Sequence, residues 1–531
     1  MSTRVHPQST ASIGRALRRV ATLGVATVLV SLLGCASLPA PAPRLHSEAL
    51  PAQDGTSLAR IAEESLGGQA DTSGLRLMAD GDDALDARLA LIRRAERSLD
   101  LQYYLLASDE VGLRVLRELR DAAARGVRVR LLLDDLYAAG QDELLAGLAS
   151  HPNVEVRLFN PLPSRHAGFS TRLLLSLHEF KRINHRMHNK LFIADNAFAI
   201  AGGRNIANEY FMRSESANFI DMDVLISGPV VQSLSSVFDR YWNSEQAWPV
   251  QQVATGVDTA QARLAFEVQV AAAVAPVPVE HDRFGRTSVQ AQLAAGRVEQ
   301  FRAGVRVLVD DPAKAQGDTR EDASTSAAAA REMASARDEL LIVSPYFVPG
   351  SKGLARMQEA VSRNVRLTVM TNSLSATDEP AVHSGYARYR TAMLGMGVNL
   401  HELKSSLNQK AGVLGNLRSS RARLHAKAAV IDQQRVLIGS LNMDGRSEHF
   451  NTEIALVIDN AGLAREVASL LDAGLQQADT YRLRLAEDGQ SIEWLASEGQ
   501  APVVHQSEPE AGWMLRLESA LKAALVDEDM L

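Results

Sequence analysis

The sequence predicts a duplicated α/β fold: two repeats, each a mostly parallel sheet flanked by helices, forming one pseudo-two-fold body with a single active site between them. Three observations predict it. Strand, helix and strand follow one another over residues 98–135 and again over 339–373. The first strand of each unit carries an aromatic pair, Tyr103-Tyr104 and Tyr346-Phe347, and the second begins Val-Arg, at Val127 and Val365. Each repeat then carries the same string of polar residues. Strand–helix–strand alternation points to crossover-connected parallel strands, and its recurrence with shared chemistry points to duplication.

In chain order, residues 1–35 read as a secretory signal. Arg4, Arg15, Arg18 and Arg19 precede an apolar run, Val20–Leu33, too short for a typical membrane-spanning helix. The run ends in Leu32-Leu33-Gly34-Cys35, which resembles a bacterial lipobox. That would make Cys35 the lipidated first residue of the mature chain; an uncleaved N-terminal anchor is the alternative. Either way the body sits outside the cytoplasm, facing the periplasm and held to a membrane. The residues after Cys35 resemble default sorting to the outer membrane, with the inner membrane as the alternative. Residues 36–75, rich in Pro, Ala and Ser near their start, read as a tether.

The first repeat spans 76–250. Leu99–Leu105 reads as a strand. Val111–Arg125 reads as a helix, with Leu113, Val115, Leu116 and Leu119 at helical spacing and Gly126 as its stop. Val127–Asp135 reads as the next strand. A connector, 251–325, looks helical or irregular. The second repeat, 326–482, holds the strand ELLIVSPYFVP, the helix LARMQEAVSRN and the strand VRLTVMTNS. The tail, 483–531, holds Trp494 and an amphipathic candidate over Trp513–Leu525, for which packing is the ordinary use and no chemistry is assigned.

Composition excludes several classes. The chain has 531 residues, 46% hydrophobic and 22% charged, and is neither disordered nor collagen-like. Its single cysteine excludes an internal disulfide and a cysteine-based zinc site. A formal net charge of −7 argues against a general nucleic-acid binder, so no nucleic-acid partner is expected. No Walker loop, dinucleotide fingerprint or metal-ligand cluster stands out, so neither a metal nor a cofactor is expected.

The repeated polar strings carry the chemistry. The first is His188-Asn189-Lys190, four residues, Asp195, then Gly202-Gly203-Arg204-Asn205. The second is His425-Ala426-Lys427, four residues, Asp432, then Gly439-Ser440-Leu441-Asn442. His and Asn are 17 residues apart in both. One copy is a weak signal; two with equal spacing inside a strand-level repeat are a strong one. Residues i and i+2 of a strand share a face, so each His would project with its Lys. Two such pairs across a cleft make an anion site for one phosphate. Asn205, Asn442 and Ser440 would add donors, and Gly203 would let backbone N–H groups approach.

Such a site suits phosphodiester transfer. One neutral imidazole attacks phosphorus and forms a phosphohistidine. The other, protonated, gives its proton to the leaving alcohol and then takes one from the incoming alcohol. Lysines and asparagines stabilise the equatorial oxygens. A nucleophilic histidine also needs an orienting acid. Asp221 and Glu453 each open an apolar strand, 33 and 28 residues after their histidines, and are the candidates; Asp223 is the rival to Asp221. Asp195 and Asp432 read as structural, capping the loop after each motif strand.

These strings resemble the HKD motif of the phospholipase D superfamily, over roughly residues 80–480. Within it, the segments LDLQYYL, RGVRVRLLLDD, NHRMHNKLFIAD, GGRNIANEYF, DDPAK, SPYFVP and LHAKAAVID are most similar to bacterial cardiolipin synthases of the C type. The resemblance implies a phosphatidyltransferase that makes cardiolipin from phospholipid substrates, with phosphatidylglycerol as acceptor and phosphatidylethanolamine as one candidate donor. A hydrolytic phospholipase D is the alternative, and a nuclease the more remote one. The resemblance also implies His188 as nucleophile, His425 as acid and base, Glu453 serving His188, and Asp221 serving His425. It further supports a headgroup pocket at His383, with Tyr103 and Tyr346; an ordinary partly buried histidine is the alternative for His383.

One stretch stands apart in an acidic chain. Arg157, Arg165, Arg172, Lys181, Arg182, Arg186 and Lys190 surround Leu173, Leu174, Leu175 and Leu177. It reads either as a membrane-facing lip or as a core helix with a solvated basic face.

Overall fold

Short apolar runs bounded by turns become strands throughout the computed structural model. It describes residue 38 and residues 44–525 apart from 53–54, 70, 164, 166–169, 173–175, 177–178, 274–278, 318–320, 407–420, 477–478 and 499–500. Cys35 with its signal segment, and Leu173, Leu174, Leu175 and Leu177, lie outside the described residues.

Up to residue 303 the strands are β1 (Ser73–Met78), β2 (Ser98–Tyr103), β3 (Arg128–Asp134), β4 (Val154–Phe159), β5 (Leu191–Ala194), β6 (Phe198–Gly202), β7 (Ala217–Ile220), β8 (Asp223–Ser227), β9 (Ala247–Pro249) and β10 (Phe301–Ala303). After it come β11 (Val305–Val309), β12 (Glu339–Val343), β13 (Arg366–Asn372), β14 (Asn399–Leu403), β15 (Arg421–Leu424), β16 (Ala428–Ile431), β17 (Arg435–Gly439), β18 (Ile454–Asp459), β19 (Thr480–Leu485), β20 (Ile492–Glu498) and β21 (Ala501–His505).

One sheet runs β10-β1-β8-β6-β5-β2-β3-β4-β9, the other β11-β18-β17-β16-β12-β13-β14-β19-β20-β21. The stretch β1-β8-β6-β5-β2-β3-β4 of the first matches β11-β18-β17-β16-β12-β13-β14 of the second, with the same sense at every pairing. The duplication is therefore visible strand by strand. The sheets are mixed, not mostly parallel as expected: among the described strands of the two sheets, only β2-β3-β4 and β12-β13-β14 pair in parallel. Helices Glu110–Ala124 and Gly350–Ser362 cross over between β2 and β3 and between β12 and β13. The β5–β6 and β16–β17 connections are tight turns, which can join only antiparallel neighbours.

Those tight turns explain Asp195 and Asp432. Asp195 and Asn196 have φ of 52° and 53°, and Asp432 and Gln433 both 52°, a region that short polar side chains tolerate best. Asp195 accepts the backbone N–H groups of Glu96, Arg97 and Ser98 at 2.9, 2.8 and 3.0 Å. Asp432 accepts those of Arg337, Asp338 and Glu339 at 3.1, 2.9 and 2.9 Å. Each carboxylate ties its hairpin to the start of the central strand, β2 or β12. Burial pushes the Asp432 carboxyl up, but the three N–H bonds outweigh it and hold it below the usual range.

Three boundaries move. Order begins inside the expected tether: helix Ser57–Leu66 buries Leu58 and Ile61, and β1 lies inside the first sheet. The expected connector, read as helical or irregular, also holds strands. Its β10 and β11, separated by Gly304 alone, form an edge of each sheet. Their apolar alternation is too short to stand out beside the Ala-rich helix Thr259–Ala271. The tail adds β20 and β21 to the second sheet, and helix Trp513–Leu525 packs on helix Pro380–Ala387.

One core covers the outer face of each sheet, and a third joins the two. The third holds Leu77, Ile193 and Trp242 of the first repeat with Val343, Leu424 and Leu456 of the second. Five of the seven cations of the basic stretch, Arg157, Arg165, Arg172, Arg186 and Lys190, are buried, while Lys181 is exposed and Arg182 half-buried. Arg157 donates to the carbonyls of Trp242 and Leu45 at 2.7 Å, Arg165 pairs with Asp135 and Asp142, and Arg172 reaches Asp135 at 2.7 Å. Arg186 bonds Asp134 at 2.8 Å. The acids at the end of β3 neutralise the cations that follow 30 to 52 residues later, a pairing that local charge counting does not see.

Replacing Asp195 by Ala strands three backbone donors, so a loss of about 2–4 kcal/mol is expected. Thermal unfolding by circular dichroism reads it. An unchanged midpoint would remove the tie from the hairpin.

Candidate active site

The motif residues sit at the entrance to strands, not within them. His188–Lys190 and His425–Lys427 are extended stretches running directly into β5 and β16. Each is placed by backbone pairing across the two repeats. β7 and β15 form a parallel two-stranded ladder that ends with Ile220 opposite Leu424. On the other side Met187 makes an isolated parallel bridge with Thr452. One residue further along each pairing, His425 stands beside Asp221 and His188 beside Glu453. The His425 N–H donates to the Ile220 carbonyl at 2.8 Å, and the His188 N–H to that of Thr452 at 2.9 Å.

The side chains follow that register. His188 Nδ1 lies 3.0 Å from both Glu453 carboxylate oxygens, and His425 Nδ1 lies 2.6 Å from Asp221 Oδ2. Each acid thus meets the histidine of the opposite repeat. Asp223 is committed elsewhere, to Arg88 at 2.9 Å and to Arg204 at 3.3 Å.

Gly203 and Ser440 do not line an anion site; they shape the acids. Ser440 Oγ is buried, donates to Glu453 Oε2 and accepts from the Ile454 N–H at 3.0 Å. A Cβ at Gly203 would overlap Asp221 Oδ1, so the shorter acid occupies the space that a side chain would fill. Glu453 has further support: Ser447 Oγ donates to it at 2.7 Å, and its own N–H donates to Asp310 Oδ2 at 2.9 Å. Lys314 bonds Asp310 at 3.0 Å.

All six central groups are buried. Lys190 Nζ donates to the His188 carbonyl at 2.7 Å, and Lys427 Nζ to that of His425 at 2.5 Å. Burial, with the lysines beside it, lowers His188 to about 4 in spite of Glu453. Burial, then Lys427 and Lys190, put His425 well below the imidazole range. Burial also lowers both lysines, Lys190 strongly and Lys427 to about 8. Both shifts favour the neutral imidazoles. A bound phosphodiester adds the negative charge that favours an imidazolium and both ammonium groups.

Both histidines open onto a cavity of about 780 Å³. Tyr104 stands edge-on to His188 with centroids 5.0 Å apart, and Tyr210 edge-on to His425 at 5.1 Å. Asn205 and Asn442 line the cavity. Asn205 accepts the Leu105 N–H and donates to Tyr210, while Asn442 Oδ1 is buried without a partner. Glu209, Asp378, Glu379 and Asp444 give the cavity an acidic wall, with Arg423 and Arg446 beside it. Burial pushes Asp444 up to about 7.

The expected headgroup residues divide. Tyr346 lines the cavity and donates to Asp378 at 2.8 Å. Tyr103 does not: it points into the core, bonded to Arg88 at 3.2 Å, and its neighbour Tyr104 lines the cavity instead. His383 is also turned away. Arg390 donates to its Nε2 at 2.7 Å and pairs with Glu402 and Glu508, so a guanidinium fills the space between those three possible metal ligands.

The family model described as "Cardiolipin synthase, PLD-like domain" matches residues 89–242 and 330–474, one match per motif. The chain belongs to that family. It is 38% identical to cardiolipin synthase C of Escherichia coli strain K12 over 458 residues, covering 83% of this chain and 93% of that protein. It is 32% identical to an uncharacterized protein of Helicobacter pylori strain 26695, covering 87% of this chain and 90% of that one. Among solved structures, phosphatidylserine synthase of Haemophilus influenzae Rd KW20 aligns with a TM-score of 0.56 at 14% identity, over 89% of this chain and all of that one. That likeness speaks for the fold.

Sequence reasoning missed the supports: Tyr104, Tyr210, Ser447, and Asp310 with Lys314. The DDPAK segment carried a signal for the last two, since a proline-bound acid–lysine cluster in an otherwise plain stretch invites a structural role.

Two outcomes are expected. Gly203→Ala should push Asp221 off His425 and lower kcat about 100-fold with the far-ultraviolet spectrum unchanged, because misplacing a catalytic group by about 1 Å costs that much. The pH profile of kcat/KM should fall first as His425, held well below the imidazole range by burial and the two lysines, loses its proton, and again as pH rises through about 8, where Lys427 loses its own. Its acid limb should lie well below the free imidazole value, because His188 stays neutral down to about 4. An acid limb at 6.5 would contradict the burial of His188.

Proposed function

We propose that the protein is a phosphatidyltransferase that makes cardiolipin, passing a phosphatidyl group to phosphatidylglycerol through a phosphohistidine. The observation that carries this reading is the crossed pair of buried histidine–acid contacts, 3.0 and 2.6 Å, opening on one cavity. The 38% identity to cardiolipin synthase C supports the substrate class.

Glu453 takes the Nδ1 proton of His188 as a hydrogen bond and leaves Nε2 free as the nucleophile. Burial pushes Glu453 up, but His188 beside it outweighs this and keeps it ionised. Nε2 attacks phosphorus, the bond from phosphorus to the headgroup oxygen breaks, and the His425 imidazolium protonates the departing alcohol. His425 then takes the proton of the acceptor hydroxyl. That oxygen attacks phosphorus, the P–N bond breaks and His188 is regenerated. Lys190, Lys427, Asn205 and Asn442 stabilise the equatorial oxygens. The acidic wall of Glu209, Asp378 and Glu379 suits a headgroup bearing hydroxyls or an ammonium, as phosphatidylglycerol and phosphatidylethanolamine do.

The same reading makes the protein a lipoprotein held at Cys35, with its body in the periplasm. Among the described residues no helix is long and apolar enough to cross a membrane. Purified protein in phosphatidylglycerol vesicles, with and without phosphatidylethanolamine, tests the activity by lipid mass spectrometry. Cardiolipin should form, and should vanish with His188→Ala. Phosphatidic acid without cardiolipin would mean hydrolysis instead of transfer.

A further inference from the structure

Helix Trp513–Leu525 is amphipathic the wrong way round. Trp513, Met514, Leu517 and Leu521 are 74, 67, 53 and 56% exposed. At 3.6 residues per turn they share roughly a 100° arc of the helix. The side turned inward, against helix Pro380–Ala387, carries Leu515 and Ser519. A helix that only packed would bury its Trp and Leu residues and expose its Ser. This one turns four large apolar side chains to the outside, each more than half exposed.

Its position gives the face a purpose. Ala381 and Val382 of the helix it packs on line the catalytic cavity, as does Glu379 just before them. The terminal helix packs on the helix that begins directly after Glu379, and Lys522 is close enough to act on the Glu379 carboxyl, which burial and Asp378 push up. The other exposed aromatics at that mouth are Tyr137 and Phe180, each 42% exposed. Arg423 and Arg446 line the same cavity and complement anionic headgroups.

We propose that the outward face of helix Trp513–Leu525, continued by Tyr137 and Phe180, docks on a lipid bilayer and sets the cavity mouth against the headgroup layer. This rests on the lipid-substrate reading above. An amphipathic helix lying in the interface buries an apolar face just below the headgroups, and Trp is well suited to that depth. An enzyme tethered by its N-terminus alone would sample every orientation. A second contact beside the mouth would fix the productive one and let a phosphodiester enter without leaving the membrane.

The test uses the full chain and phosphatidylglycerol vesicles with brominated acyl chains. Trp242 and Trp494 are buried and Trp248 is half-buried beneath Arg44, so Trp513, 74% exposed, is the tryptophan most open to bromine. Bromolipid should quench it, and Trp513→Phe should abolish the quenching. The double variant Leu517→Ser, Leu521→Ser should lose about tenfold in rate on vesicles, given the apolar area removed, and keep its rate on dispersed short-chain phosphatidylglycerol. Unquenched Trp513 in protein that is bound to vesicles would overturn the proposal. So would self-association of the wild-type chain that the double variant loses, which would make a second copy the occupant. Quenching needs no turnover: quenching without reaction on either substrate would uphold the docking and sink the transferase reading.

Discussion

Everything in the active site depends on backbone pairing between the two repeats. The β7–β15 ladder and the Met187–Thr452 bridge are short, yet each fixes a histidine and an acid from opposite halves at one level. Parallel pairing leaves no slack. A slip of one residue would turn each histidine away from its acid and toward the other face. The large core between the sheets is what makes so short a ladder reliable, because sliding one repeat on the other would unpack Leu424, Ile193 and their neighbours together.

The same packing explains the electrostatics. Six ionisable groups are buried together, two of them opening on the cavity, where an unpaired charge is costly. The arrangement manages this by keeping the imidazoles neutral and surrounding the acids with donors. Glu453 is served by Ser440, Ser447 and His188. With the imidazoles neutral, the two lysines stand against the two carboxylates, and a phosphodiester that enters brings the extra negative charge that an imidazolium needs.

How much of this was legible in the sequence depended on range. The motif strings, the hairpin caps Asp195 and Asp432, and the acids at 221 and 453 follow from local pattern and from the repeat. What pattern could not reach was set by contacts between distant segments. Ser440 looked like a phosphate ligand because it stands two residues before Asn442, which lines the cavity; only the position of Glu453 shows its hydroxyl facing inward. Tyr103 and Tyr104 are adjacent on a strand and must point opposite ways, but the sequence does not say which faces the cleft. The basic stretch looked like a surface because its partners, Asp134 and Asp135, lie a strand away. His383 had plausible helical neighbours, and its Arg390 partner was among them, but Glu402 and Glu508, which complete that buried cluster, come from elsewhere.

The crossed acids also have a consequence in time. Chains emerge from synthesis and from export with the N-terminus first. When the first repeat has folded, His188 has its lysine and its aromatic wall but no carboxylate, because Glu453 is 265 residues behind it. The orienting acid of the late half, Asp221, is present but has no histidine to orient. The reactive centre therefore comes into being only when nearly the whole polypeptide has arrived and the two lobes have closed. A phosphatidyltransferase wired in this way is inert until its second lobe has folded onto its first.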